Sequence, residues 1–516
     1  MRRAMLAEWI VYYYVGWCGA REGMMAGSGN EVGAVDAAEY LKAQPSGRNE
    51  GDFLPEIRDR VAAEGRRIVV LDDDPTGVQS VHDVPVLTDW SPEELRWGLL
   101  QESSTFFILT NSRAVQEDRA VEMNREICRS LVEAAEHTGK DFVLTSRSDS
   151  TLRGHYPAET DALARVLSEE RGEEVDGVVL CPCFFEAGRI TVDDIHWVWQ
   201  GDTLVPAGLT EFASDNSFGF VNSDLKEWVA EKTGGRIPAV EVESISLPNI
   251  REGGPERVAE ALARVDGGRP VVVNAENYGD LETFVLGLLD AEAAGKNFIY
   301  RTGPSFVRAR GGITAPEVLD ADRLRRGVSR PGHGLVLVGS YVPTTTKQLR
   351  RALEMDGVVA IELSVPRLLE PEGRDAEVER VAFRVDRALR SREVLVYTSR
   401  DLVTADTLEG GERSDLDVGS VVSDALVEVV RRLDRTLDLS FVIAKGGITS
   451  SVVGTEGLGV RRAQVAGPLL PPGIVPVWIL PDDNDFPGLP YVIFPGNVGG
   501  PDSLARAIGA LRGVSG

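Results

Sequence analysis

Four cysteines in 516 residues exclude a disulfide framework. Cys181-Pro-Cys183 is too closely spaced for a usual zinc pair and has no second pair to complete it, so it reads as buried packing. Positive charge is also in deficit. Lys and Arg number 55 against 81 Asp and Glu, a net charge of −26, which excludes a general nucleic-acid or membrane-surface binder. An anionic substrate is not excluded, since it needs only a local basic cluster. Long apolar runs are missing: the stretch from Trp9 to Ala20, cut off from the preceding residues by Glu8, is too short to span a bilayer. There is no G-x-x-x-x-G-K-[ST] phosphate loop, no G-x-G-x-x-G after a strand and no G-x-S-x-G elbow. The expectation is a cytoplasmic protein without nucleic-acid or membrane partners.

Glycine, by contrast, falls just after apolar strands. Phe441-Val-Ile-Ala-Lys445 reads as a buried strand, followed at once by Gly446, Gly447, Ile448, Thr449 and Ser450. Glycines let the backbone approach a ligand closely, and hydroxyls at a helix start accompany free N–H groups that suit an anion. Tyr491-Val-Ile-Phe494 repeats the logic with Pro495, Gly496, Asn497, Val498 and Gly499. A third strand, Leu335 to Val338, leads into Gly339-Ser340, which places Ser340 on the same edge as Gly446 and Gly496. With Lys445 before the first turn, these read as the lips of a phosphate site.

The length exceeds what one core usually organises, so two domains are expected. Residues 1–52 read as a disordered or weakly ordered extension, with Met24 or Met25 as alternative starts. Residues 53–325 and 332–516 are the two domains, with Ser329-Arg-Pro-Gly-His-Gly334 as the linker. In each, apolar runs alternate with helical patterns, which gives α/β domains with mostly parallel sheets flanked by helices. In the first, polar loops follow three strands: Asp72-Asp73-Asp74-Pro-Thr76-Gly77, Thr110-Asn-Ser-Arg113, and Arg147-Ser-Asp149-Ser150-Thr151-Leu-Arg153-Gly154. Ligands of open α/β sheets bind beyond the C-terminal strand ends, so these loops point to one crevice. Arg113, Arg147 and Arg153 are suited to clamp a carboxylate or phosphate. Asp73, Asp74 and Asp149 are suited to take a hydroxyl proton or hold a metal. His155 lies beside the same loop, while His82 and His196 read as local hydrogen-bonding residues.

Together these motifs resemble the four-carbon acid sugar kinases. The Asp73-Asp74-Pro-Thr76-Gly77, Thr110-to-Arg113 and Asp149-to-Gly154 segments are similar to that family's sugar-binding domain. Gly339-Ser340, Lys445-to-Ser450 and Phe494-to-Gly500 are similar to its nucleotide-binding domain. The resemblance implies ATP with Mg²⁺ as cofactors, phosphorylation of a terminal hydroxyl of a threonate-, erythronate- or oxo-tetronate-type acid, and an active site in the interdomain cleft. It implies sugar-acid contacts from Thr76, Arg113, Arg147, Ser150, Thr151 and Arg153, and nucleotide contacts from Ser340, Lys445, Gly446, Gly447, Ile448, Thr449, Gly496, Asn497 and Gly499. Asp74 is favoured as the base, with Asp73 and Asp149 as alternates; homodimerisation stays open. The chain departs from the family pattern at Ile448, where many members carry Asp, and at Ser148, where an apolar residue is usual. Two other readings compete. Asp72-x-Asp74-x-Thr76 after a strand matches the first motif of haloacid-dehalogenase-like phosphatases, where the first Asp is a nucleophile. A non-catalytic sugar-acid-binding protein would use the same loops without turnover.

Overall fold

Apolar runs without polar interruption give strands buried on both faces, and here they supply the parallel strands of two units. The computed structural model describes residues 32–319, 332–340, 342–370, 372–400, 415–471, 473, 475–496 and 498–512. One unit runs to Gly77 and resumes over Trp90–Thr314; the other takes Val78–Asp89 and the chain from Ala315.

The first unit carries seven parallel strands in the spatial order Glu243–Ile245, Arg269–Val273, Gly177–Cys181, Phe298–Thr302, Phe142–Arg147, Arg67–Asp72 and Thr105–Leu109. The connecting helices are amphipathic. In Glu117–Thr138 the buried residues Ala120, Met123, Ile127, Leu131 and Ala135 recur every three or four positions and face the sheet side. Beside this sheet stands a four-stranded antiparallel one, Val35–Asp36, Thr203–Pro206, Ile195–Gln200 and Arg189–Val192. Trp197, Ile190, Val192 and Leu204 form its core with Ala37 and Leu247.

The second unit has five parallel strands, Val358–Leu363, Glu393–Thr398, His333–Val338, Leu439–Lys445 and Pro490–Phe494. Three antiparallel strands extend it: Pro476–Ile479, Arg462–Pro468 and Val84–Leu87. The two-domain α/β class, mostly parallel strands flanked by helices, is therefore the one expected from sequence.

Two segments depart from expectation. Residues 78–89 were assigned to the first domain, yet Val84–Leu87 pairs with Arg462–Pro468. The stretch before residue 53 was taken as an extension, but Val35–Asp36 pairs with Thr203–Leu204 and Ala37–Lys42 is a helix capped by Asp36. Further on, the backbone N–H groups of Gly51 and Phe53 donate to Glu282 at 2.8 and 3.0 Å. A two-residue strand and a six-residue helix carry no readable periodicity; their order comes from Tyr40 and Leu41 packing beside Trp197. Deleting residues 1–43 should lower the unfolding free energy by about 2–4 kcal/mol, the scale for uncovering two apolar side chains. Urea titration of the full and truncated chains measures this, and equal midpoints would show the segment contributes nothing to the fold.

Candidate functional site

At the last rung of the first sheet Leu109, Asp72, Arg147, Thr302 and Cys181 stand side by side. The strand Arg67–Asp72 has its two successors on opposite flanks. The loops leaving it and its neighbours therefore part, and a crevice opens there. All three polar loops predicted to share a site do converge on this rim.

Their charges interlock. Arg147 Nη1 lies 3.0 Å from Asp72 Oδ1 and 3.7 Å from Asp73 Oδ1. Arg113 pairs with Asp74 and, at 3.4 Å, with Asp149. Arg153 Nε donates to Asp149 at 2.6 Å, and its Nη1 sits 3.6 Å from Asp215 while the guanidinium lies over the Phe212 ring. Thr76 donates to Asp74 from both its N–H and its hydroxyl, and the Thr151 hydroxyl donates to Asp149. The Ser150 carbonyl accepts from His196, which is buried and held mostly neutral, its pKa pushed down to about 4 by desolvation.

The aspartates consequently differ. Burial pushes the Asp72 carboxyl up to about 7, with Arg147 offsetting only part of the effect, and that of Asp73 up to about 6, with Arg113 and then Arg147 offsetting part. For Asp74 burial acts the same way, but Arg113 and Thr76 outweigh it and hold the group below the usual carboxylate range. Asp149 is lowered further, since Arg113 and Arg153 together overcome its desolvation. Asp73 is singular in another respect. Neither of its carboxylate oxygens has a hydrogen-bond partner among the described residues, although both are buried.

Several sequence expectations are revised by this geometry. Arg147 is buried beneath the aspartates and is no open clamp. His155 turns inward, its Nε2 3.1 and 3.0 Å from the Ser112 and Val115 carbonyls. Asp72 is buried against Gly77, where an added Cβ would fall 1.9 Å from its Oδ2, and it is held by Arg147. It is not placed to act as a phosphatase nucleophile. The sequence reading missed Arg301, whose Nη1 donates to Ser146 at 2.8 Å and Glu159 at 2.5 Å. The only signal was its position near the end of the strand Phe298–Thr302.

In the second unit the three glycine turns are stitched together. Gly446 donates to Phe494, Gly339 and Ser340 both point their N–H groups at the Lys445 carbonyl, and Thr345 Oγ1 donates to the Gly496 carbonyl at 2.7 Å. Gly446 has φ +125°, a conformation that favours glycine, and a Cβ there would lie 3.1 Å from Ser340. Lys445 is corrected: its ammonium is buried, lies over the Phe494 ring and donates to the Pro495 and Gly496 carbonyls. Burial lowers its pKa well below the usual lysine value. It holds the second turn in place. Thr449 and Ser450 are buried too, with Ser450 Oγ 2.7 Å from the Gly446 carbonyl. Gly447 and Ile448 are open: nothing lies within 4 Å of a Cβ at Gly447, and Ile448 is 63% exposed. Gln348, which the sequence reading missed, donates to the carbonyls of Val498, Gly499 and Gly500 and fixes the loop that carries Gly499. Asn497 lies outside the described residues. Among the described residues no group of three or more His, Cys, Asp or Glu side chains converges as metal ligands.

Residues 68–310 match the family described as a sugar-binding N-terminal domain, and residues 335–504 match the one described as a nucleotide-binding C-terminal domain. A sugar-binding α/β domain followed by a nucleotide-binding one defines a phosphotransferase with an alcohol group as acceptor. The chain belongs to the four-carbon acid sugar kinase family. A D-erythronate kinase of Heliobacterium modesticaldum is 26% identical over 336 residues, 63% of this chain and 69% of that protein. Two solved structures share the fold. A Salmonella typhimurium LT2 protein named as a tRNA synthase has a TM-score of 0.63 at 18% identity, covering 86% of this chain and 98% of its own. A Haemophilus influenzae protein has a TM-score of 0.59 at 18% identity, covering 86% and 100%.

The raised pKa of Asp73 has a stability consequence. Folding favours its protonated form, so this contribution is full below about pH 4 and is lost as pH rises through about 6. Asp73→Asn should flatten the pH dependence in that window and be more stable than wild type at pH 8, by on the order of 2 kcal/mol. Urea unfolding of both proteins at pH 5 and 8 checks this; an unchanged pH slope would refute it.

Proposed function

We propose that this kinase transfers the terminal phosphoryl group of ATP to a terminal hydroxyl of a four-carbon sugar acid of the erythronate, threonate or oxo-tetronate type. The observation that carries the reading is the rim of the first sheet. Four aspartates with divergent basicity meet three arginines at the C-terminal strand ends of the unit that matches a sugar-binding domain. The similarity to a D-erythronate kinase supports the acid class.

A general base works best with a pKa near the operating pH and a free lone pair. Asp73 meets both conditions, whereas Asp74 and Asp149 are each committed to arginine. Asp73 is therefore the favoured base, ahead of Asp74, which the sequence alone suggested. Arg113 and Arg153 orient Asp74 and Asp149. Thr76, Ser150 and Thr151 keep the loops in register.

The open turn at Gly446, Gly447 and Ile448, backed by Ser340, Thr449, Gly496 and Gly499, fits a phosphate chain. Its first helical N–H groups lack intrahelical partners, and no side chain occupies the space in front of Gly447. Bound ATP would supply the phosphoryl group, with Mg²⁺ on its phosphates neutralising charge, and such an ion usually takes few protein ligands.

Gly447→Val should leave stability nearly unchanged, because its Cβ meets nothing, and weaken ATP binding by about tenfold or more. Calorimetric titration with ATP alongside urea unfolding separates the two effects. Gly496→Val is a less clean probe, since its Cβ would press on Ser340 Oγ at 3.0 Å. Full ATP affinity in Gly447→Val would move the nucleotide site elsewhere. A second assay follows ADP release with erythronate, threonate, their oxo forms and erythritol. The acids should turn over and the polyol should not. ATP binding without ADP release for any acid would instead support a non-catalytic binding protein.

A further inference from the structure

Arg113, Arg147 and Arg153 are each engaged by aspartates. Arg301 is engaged on one side only. Its Nη1 is fixed by Ser146 and Glu159, while Nε and Nη2 make no hydrogen bond among the described residues, although the side chain is only 5% exposed. Arg301 also lines a pocket with Ser148, Asp149, Leu152, Pro182 and Trp228. The Ser148 hydroxyl has no partner among the described residues, and neither has the buried indole N–H of Trp228, whose ring stacks on Tyr156.

Gly154 explains why this edge stays open. It has φ +126°, and a Cβ there would lie 2.6 Å from Arg301 Nη2, 3.2 Å from Asp73 Oδ2 and 3.7 Å from Ser148 Cβ. The missing side chain leaves a slot with a guanidinium edge on one wall and a carboxylate without hydrogen bonds on the other. Asp73 and Arg301 do not pair across it. A buried polar group left without a partner costs about 1–3 kcal/mol, so several orphans around one slot are costly to maintain unless a ligand satisfies them.

We propose that Arg301, with Ser148 and the Trp228 indole, forms the carboxylate-recognising and specificity-determining subsite of the acid-sugar site, taking the acid end of a short hydroxy acid over Gly154. This rests on the sugar-acid kinase reading and assigns the acid group to a residue outside the three arginines suggested by the motifs. The planar carboxylate meets the free guanidinium edge side-on, a fork that lysine does not reproduce. The Ser148 and Trp228 donors complete its oxygens. Leu152 and Pro182 cover the carbon chain.

The test uses three variants of the full chain: Arg301→Lys, which keeps a cation for Glu159, Ser148→Ala and Trp228→Phe. Each is measured for urea stability, for direct calorimetric binding of D-erythronate without nucleotide, and for KM and kcat with D-erythronate and erythritol. Losing the fork should weaken erythronate binding about ten- to a hundredfold in Arg301→Lys, and the two milder variants should raise KM several-fold with kcat less affected. Whatever weak signal erythritol gives should not change. Folded variants that bind erythronate like wild type would overturn the proposal, as would equal losses for acid and polyol. If wild type binds erythronate but transfers no phosphate, the kinase reading fails. The binding titrations then still decide the subsite. If wild type binds no erythronate, the subsite itself is refuted.

Discussion

Arg147 is the interaction on which the first unit's site depends. It ends the strand Phe142–Arg147, stands in register with Asp72, and lies within reach of Asp72 and Asp73 with almost no exposure. Two adjacent buried carboxylates cannot both ionise cheaply in a low-dielectric rim. One guanidinium shared between them settles Asp72 as an anchored group and leaves Asp73 under-satisfied. Removing Arg147 would strand both carboxylates. The rim is therefore a case where a structural ion pair sets the chemistry of a residue it does not fully bind.

The two units solve the same problem with different means. In the first, charge fixes the loops: every predicted arginine is tied to an aspartate. In the second, carbonyls are the scarce partners. Lys445 and Gln348 converge their donors on the backbone of residues 495–500, so the loop is held from behind while Gly447 and Ile448 face outward. A lysine beside a glycine turn reads from sequence as a phosphate ligand, because residue type reveals charge but not direction.

That limit explains what was and was not legible. The strands were visible because continuous apolar runs such as Arg67–Asp72 and Leu439–Lys445 have few other uses. The convergence of the Asp72, Arg113 and Arg147 loops was visible because consecutive parallel strands put their ends on one rim. Arg301 was not, since nothing local says that its strand inserts between Phe142–Arg147 and Gly177–Cys181. The order of strands in space is a long-range property. Residues 35–42 and 84–87 were missed for a related reason: their order comes from distant partners and not from their own pattern.

The strand Val84–Leu87 bears on synthesis. Its partner Arg462–Pro468 lies about 375 residues further along the chain. At roughly 5–20 residues per second, the ribosome leaves this apolar strand without its partner for about 20–75 s. During that interval the side of the segment that meets Arg462–Pro468 is open, the kind of strand edge that recruits other chains. Folding of the second unit then closes on a piece made near the beginning of the chain.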